Sequence, residues 1–175
     1  MVTLTQYKDY LDKRFSGVLS AGHHGEDGEA CGMEFLNAFH RRPWSDSPEE
    51  ARSFDTRELN DIDISDEVRT KYLLPVLAAY DGSLDWPQER QRAVADRLVI
   101  LTVQRVVAER PGLSDENRRQ YRAASTLWGA LAAWGEAAAA EARAAAAWGE
   151  ARAVRIAREK VFIQACQVWL DALEG

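Results

Sequence analysis

Apolar residues recur at helical spacing along this chain. Leu4, Tyr7, Leu11 and Phe15 lie three or four apart, with Lys8, Asp9 and Asp12 outside the stripe, which predicts an amphipathic helix over 3–15. Met33, Leu36 and His40 on one side, with Phe35 and Phe39 beside them, predict a second helix within 30–39. Ser47-Pro48-Glu49-Glu50 carries an N-cap serine, a proline at the first helical position and a glutamate three after the cap, the signature of a third helix start. The stretch 54–64 is polar, and Asn60-Asp61 reads as a turn. Ser65-Asp66-Glu67 opens another helix with Val68, Tyr72, Val76 and Ala79 on one stripe. Pro75 is expected to kink or split it, and Asp81-Gly82 to close it. Asp85-Trp86-Pro87 begins a helix running to about Arg110. Its centre, 98–103, is apolar enough for a buried strand. The breaker-free length of 92–109 and the spacing of Val94, Leu98, Leu101 and Val106 favour a helix. Pro111-Gly112 is a break, and Ser114-Asp115-Glu116 starts the last section.

That section holds the strongest pattern in the chain. Trp134-Gly135-Glu136-Ala137 recurs as Trp148-Gly149-Glu150-Ala151, fourteen residues later. Fourteen residues are two heptads, so on a helix both copies face nearly the same way. Ala130, Ala133, Ala137, Ala140, Ala144, Ala147 and Ala151 form a line of small residues. Val154, Val161 and Val168 extend it, with Ala165 and Ala172 beside it. Trp134, Trp148, Phe162 and Trp169 flank the line. The segment Trp134, Ala137, Ala140, Ala144, Ala147 and Trp148 is therefore expected to be a packing seam for another helix, from this chain or from a second copy. No proline occurs from 115 to 174, so two helices or a bend near Gly129, Gly135 or Gly149 are expected there. The predicted fold is all-α: one helical domain over 1–175 with six to seven helices, an N-terminal part over 1–112, and long alanine- and tryptophan-rich C-terminal helices over 113–175 forming its spine.

Composition narrows the function classes. Acidic residues outnumber basic ones, 28 to 22, for a net charge of -6. That balance disfavours phosphate binding, so no direct nucleic-acid contact is expected, and it suits docking on a basic protein partner. There are two cysteines, no apolar run of signal-peptide length at the start and no membrane-length window. A cytoplasmic protein with reduced thiols, no membrane partner and no cofactor is expected.

Candidate chemistry concentrates in one place. His23, His24 and Cys31, with Glu26, Asp27 and Glu29 between them and His40 downstream, are the densest set of potential metal ligands. They match no strong zinc motif, and the more economical reading is a solvated glycine-rich loop. Cys31 reads as a small core residue, since the acids around it oppose thiolate formation. Gly22, Gly25 and Gly28 lack the lysine and hydroxyl of a phosphate loop. Glu34, Asp46, Asp55, Asp61, Asp63 and Asp66 read mostly as caps and turn formers. Arg152, Arg155, Arg158 and Lys160 alternate with Glu150 and Glu159 as a solvated helix face.

Three short motifs carry a resemblance: Cys31-Gly32-Met33-Glu34, then Pro43-Trp44-Ser45-Asp46-Ser47-Pro48, then Leu59-Asn60-Asp61. Together they resemble a pattern in small phage and bacterial accessory proteins, Cys-x-(Met/Leu)-Glu followed by Trp-Ser-Asp-x-Pro and Leu-Asn-Asp. The resemblance covers about 25–80. It implies a phage or mobile-element setting and no activity or catalytic residue. Each motif residue also has a structural use: Trp44 as a core plug, Ser45, Asp46 and Ser47 as turn and cap groups, and Asn60-Asp61 as a turn clamp. The expected function is a non-enzymatic, acidic, helical protein-binding module. Its concrete version is an accessory protein that inhibits a host defence nuclease complex, as anti-CRISPR proteins do, with Asp46, Glu49, Glu50, Asp61, Asp63, Asp66 and Glu67 meeting the partner. Two alternatives stand beside it. One is a metal-dependent hydrolase using His23, His24, Cys31 and His40. The other is a structural homo-oligomer built on the alanine seam.

Overall fold

A computed structural model describes residues 2–22, 28–49, 56–109, 113–126 and 151–174, with backbone only at 57–58 and 151–158. The described residues form helices and no strands, as the spacing predicts. In chain order they are α1 (Leu4–Arg14), α2 (Gly32–Phe39), α3 (Arg57–Asn60), α4 (Asp66–Tyr80), α5 (Gln88–Arg105), α6 (Asp115–Arg122) and α7 (Ala151–Glu174). Short 3-10 turns at Ser83–Asp85 and Val107–Glu109 precede and follow α5. The chain divides into two compact units, Met1–Gln91 and Arg92–Gly175.

In the N-terminal unit α1, α2 and α4 pack on one another and α3 packs on α2 and α4. The starts of α1 and α4 are chemically marked. Thr3 caps α1 in a reciprocal box with Gln6: the Gln6 N–H donates to Thr3 Oγ1 and the Thr3 N–H donates to Gln6 Oε1. Ser65 caps α4 through the Val68 N–H. Tyr7, Leu11 and Phe15 are buried, and Tyr7 and Phe15 meet Phe35, Phe39, Tyr10 and Trp44 in edge-on or tilted aromatic pairs with centroids 4.5 to 6.2 Å apart. This is the geometry the ring quadrupoles favour. The turn after α1 needs glycine: Gly17 has φ +82°, and a Cβ there would lie 2.9 Å from Asp12 Oδ1.

Of the kink or split expected at Pro75 the split does not occur, and the buried face of α4 differs from the pattern-based expectation. The helix runs through Pro75 without splitting. The carbonyl that Pro75 leaves without a donor belongs to Lys71, four residues earlier, and Lys71 is exposed, so water can take over the bond. The buried face is Arg69, Leu73, Leu74, Val76, Leu77 and Tyr80 rather than the stripe through Val68, Tyr72 and Ala79, and Ala79 is exposed. The rotation admits a fully buried arginine, which apolar spacing alone does not count.

In the C-terminal unit Val103, Val107, Ala108, Leu113 and Tyr121 form a core, with Val99, Ile100 and Ala124 against it. Residues 98–103 are helical. Ser114 caps α6, accepting from the Asn117 N–H at 3.1 Å. α6 ends at Arg122, ahead of any glycine. In α7 the buried positions include Phe162, Cys166, Trp169 and Leu173, at four, three and four spacing, with Val168 and Ala172 beside them. Val161, placed on the expected small-residue line, is 37% exposed. Of the line's described positions Val168 is buried and Val161 is not, while the flanking Phe162 and Trp169 both face the interior. The seam residues Trp134, Ala137, Ala140, Ala144, Ala147 and Trp148 lie outside the described residues, as do Glu50 and the breaks at Pro111-Gly112, Gly129, Gly135 and Gly149. No described helix is long and apolar enough to cross a membrane.

Candidate functional site: an acid-rimmed cavity at the start of α2

The three motifs, far apart in sequence, meet around one N-terminus. Cys31 caps α2 in a reciprocal box with Glu34: the Cys31 N–H donates to Glu34 Oε2 at 2.9 Å, and the Glu34 N–H points at Cys31 Sγ at 3.5 Å. A thiol is an uncommon cap, and the buried Glu34 carboxylate supplies the stronger half of the box. The next N–H, that of Gly32, donates to Asn60 Oδ1 at 2.9 Å. At Gly32 the constraint is crowding rather than dihedral angle. A Cβ there would lie 3.2 Å from Leu73 Cδ2 and Leu77 Cδ1 and 3.4 Å from Asn60 Oδ1. Asn60 Nδ2 in turn donates to Asp61 Oδ1 at 3.0 Å. From the second motif, the Ser45 carbonyl accepts from Asn37 Nδ2 of α2 at 2.8 Å, and Ser45 Oγ accepts the Ser47 N–H at 3.1 Å.

Below this layer lies Arg69, fully buried. Its Nε donates to the Asn60 carbonyl at 2.9 Å, one terminal nitrogen donates to the Ile62 carbonyl at 2.8 Å, and the other pairs with Asp66. A planar guanidinium fills three acceptors in one plane, which an ammonium cannot do. The loop 60–66 is thereby held in one conformation from beneath, while Asp61, Asp63 and Glu67 are exposed above it.

These elements enclose a cavity of about 370 Å³. Its inner wall is Cys31, Met33 and Asn60, all buried. Its mouth is Ala21, Gly22, Asp46 and Asp61, all exposed. Neither Asp46 nor Asp61 forms an ion pair among the described residues: Asp46 accepts the Ser47 hydroxyl, and Asp61 the Asn60 amide. Of the other carboxylates expected to meet a partner, Glu49 is exposed and pairs loosely with Arg42 at 3.8 Å, and Asp66 is committed to Arg69. The negative charge of the chain is also concentrated in the N-terminal unit as a whole. Residues 1–91 hold 18 acidic and 10 basic side chains, net -8, whereas 92–175 hold 10 and 12, net +2.

Of the residues of the hydrolase alternative, the two described ones, Cys31 and His40, are not brought together. Cys31 and His40 cap opposite ends of α2, nine residues and roughly 13 Å apart along the axis. His40 Nε2 instead meets Asp81 at 2.9 Å, joining the C-terminal ends of α2 and α4. Burial pushes the Cys31 thiol up to about 12, opposite to the activation a nucleophile needs. His23 and His24 lie outside the described residues, and no three His, Cys, Asp or Glu side chains among the described ones group closely enough to hold a metal. The Asn60–Gly32 tie and the buried Arg69 are what sequence reasoning missed. The one available signal was an arginine at helical spacing with Leu73, Val76 and Tyr80.

A second cavity, of about 330 Å³, lies in the C-terminal unit between Gln104, Arg105, Glu109, Arg122, Gln164 and Gln167. Its cations are already matched, Arg105 by Asp171 and Arg122 by Glu109. Comparison with protein-family models, curated proteins and solved structures finds no match to this chain.

Proposed function

We propose that this protein is a non-enzymatic binding module whose N-terminal unit docks on a basic surface of a protein partner. The observation that carries this reading is the pre-set acidic loop: Arg69 fixes 60–66 from within, so Asp61, Asp63 and Glu67 are presented without a large ordering cost on binding. The net charge of -8 over 1–91 adds electrostatic steering toward such a surface. The concrete form of the proposal is an accessory protein that blocks the nucleic-acid-binding groove of a host defence complex. It rests on the resemblance of the three motifs and on this charge. Both cysteines are free and buried, which fits a reducing cytoplasmic setting.

The test is affinity capture from extracts of the native host with the whole chain, against the variant Asp61→Lys/Asp63→Lys/Glu67→Lys. The expected result is a basic partner retained by the wild type, weakened by salt and lost with the charge-reversed variant while its melting curve is kept. Equal retention by both proteins overturns the reading. The inhibitory form is tested by expressing each protein in a host that restricts phage: only the wild type should restore plaque formation.

A further inference from the structure

Resting on the binding-module reading, we infer that the cavity at the start of α2 is a receptor for one arginine side chain of the partner. The cavity has two kinds of wall, and each matches one part of that side chain. The buried inner wall offers the Cys31 and Met33 side chains, apolar and polarisable, which suit an alkyl stem and the weakly hydrated face of a guanidinium. The mouth offers two carboxylates from separate segments, Asp46 from the turn before 47–48 and Asp61 from the loop before α4. Neither is neutralised by a cation among the described residues. A planar cation with five donors can face two carboxylates at once, whereas an ammonium acts as a point charge. The half-open volume of about 370 Å³ has room for one such side chain. The second cavity makes the contrast, because there each arginine already has its acid.

The walls are also fixed in place. Asn60, on the inner wall, is tied to the Gly32 N–H and to Asp61. The backbone it belongs to is held by Arg69, and Cys31 is locked in its capping box. A cavity with fixed walls binds with less ordering cost than one that must form around its guest.

The probe is Nα-acetyl-arginine methylamide, titrated into the full chain and followed by amide NMR shifts, with the norleucine analogue as apolar control and the lysine analogue as point-charge control. The arginine compound should give saturable shifts at Ala21, Gly22, Asn60 and Asp61 with a Kd of roughly 1 mM, the level expected of so small a ligand. The lysine compound should bind more weakly and the norleucine compound should not saturate. Asp46→Asn/Asp61→Asn should weaken the arginine compound by about tenfold, since two charge-assisted contacts become neutral. Asparagine keeps an acceptor for the Asn60 amide, and each single variant serves if the double one is unstable. Norleucine binding as well as arginine, an unchanged Kd in the Asn variants, or no saturable shift overturns the inference. The binding-module reading is judged separately by capture with Asp63→Lys/Glu67→Lys alone, which leaves the cavity lining, Asp61 included, unchanged.

Discussion

The two units use polar groups in opposite ways. Every buried polar or charged residue among the described ones belongs to the N-terminal unit: Glu34, Asn37, Thr56, Asn60, Arg69 and Ser83. The described core of the C-terminal unit is apolar apart from the Tyr121 hydroxyl. Its ion pairs, Arg105–Asp171 and Arg122–Glu109, lie at the surface. Buried polar groups demand near-complete hydrogen bonding and so tie particular segments to particular partners. Surface pairs demand little and contribute little. The difference teaches where a specified surface is built: in the unit where interior polar bonds dictate the shape of a loop and the carboxylates above it.

The largest effect should come from removing the centre of that network. Arg69→Ala strips donors from the Asn60 and Ile62 carbonyls and leaves Asp66 without its cation. Urea unfolding should show a loss of ~3–5 kcal/mol. Arg69→Lys should recover only part of it, because a lysine cannot reach three acceptors in one plane. A loss under about 1 kcal/mol, the range of a surface pair, would erase the contrast between the units.

Next come the two thiols, one per unit. Burial raises both Cys31 and Cys166 from 9.0 to about 12. A thiol whose folded pKa is raised resists ionisation in the folded state while the unfolded chain ionises freely. The stability it contributes is therefore complete below pH 9.0 and lost as pH climbs toward about 12. Midway, at pH near 10.5, each thiol should cost about 2 kcal/mol. Cys31→Ala and Cys166→Ala should each flatten the alkaline limb of a stability–pH curve. Cys31→Ala should also lower the neutral-pH plateau by ~1 kcal/mol or more, since it removes a cap as well as volume. A steep alkaline limb surviving both substitutions contradicts this account.

A smaller loss, ~1 kcal/mol, is expected for Gly17→Ala, where a positive φ and the nearby Asp12 oxygen both oppose a Cβ. The smallest belongs to Asp171→Asn, read by the same unfolding assay. The Arg105 hydrogen bond, with help from Gln167, holds Asp171 below the usual carboxylate range. A depressed folded pKa gives stability present above the unfolded value and lost as pH falls through the folded one, so the wild type should lose its advantage in acid. The pair lies at the surface with Asp171 partly exposed, and the advantage should stay under ~1 kcal/mol at neutral pH.

Much of the fold was legible because helix starts and apolar stripes are local signals. The Ser65 and Ser114 caps, the helix over 4–14 and the helical state of 98–103 follow from residues within a turn or two of one another. What escaped was long-range. The buried face of α4 turned on Arg69, whose burial depends on carbonyls at Asn60 and Ile62 offered by another segment. The α7 face turned on what packs against it: Val168 of the expected line goes inward with its flanking Phe162 and Trp169, while Val161, on the same line, does not. At the site, Asp46 and Asp61 were legible as acids. That they share one cavity with Cys31 and Met33 depends on the Asn60–Gly32 bond across 28 residues.

The most direct test is zero-length carbodiimide crosslinking of the complex captured from host extract, which joins carboxylates of this chain to lysines of the partner, followed by mass-spectrometric mapping. The account predicts partner crosslinks at Asp46, Asp61, Asp63 or Glu67, in the unit of net charge -8. Crosslinks confined to acids of the other unit, such as Asp96, Asp115 or Glu116, would contradict it.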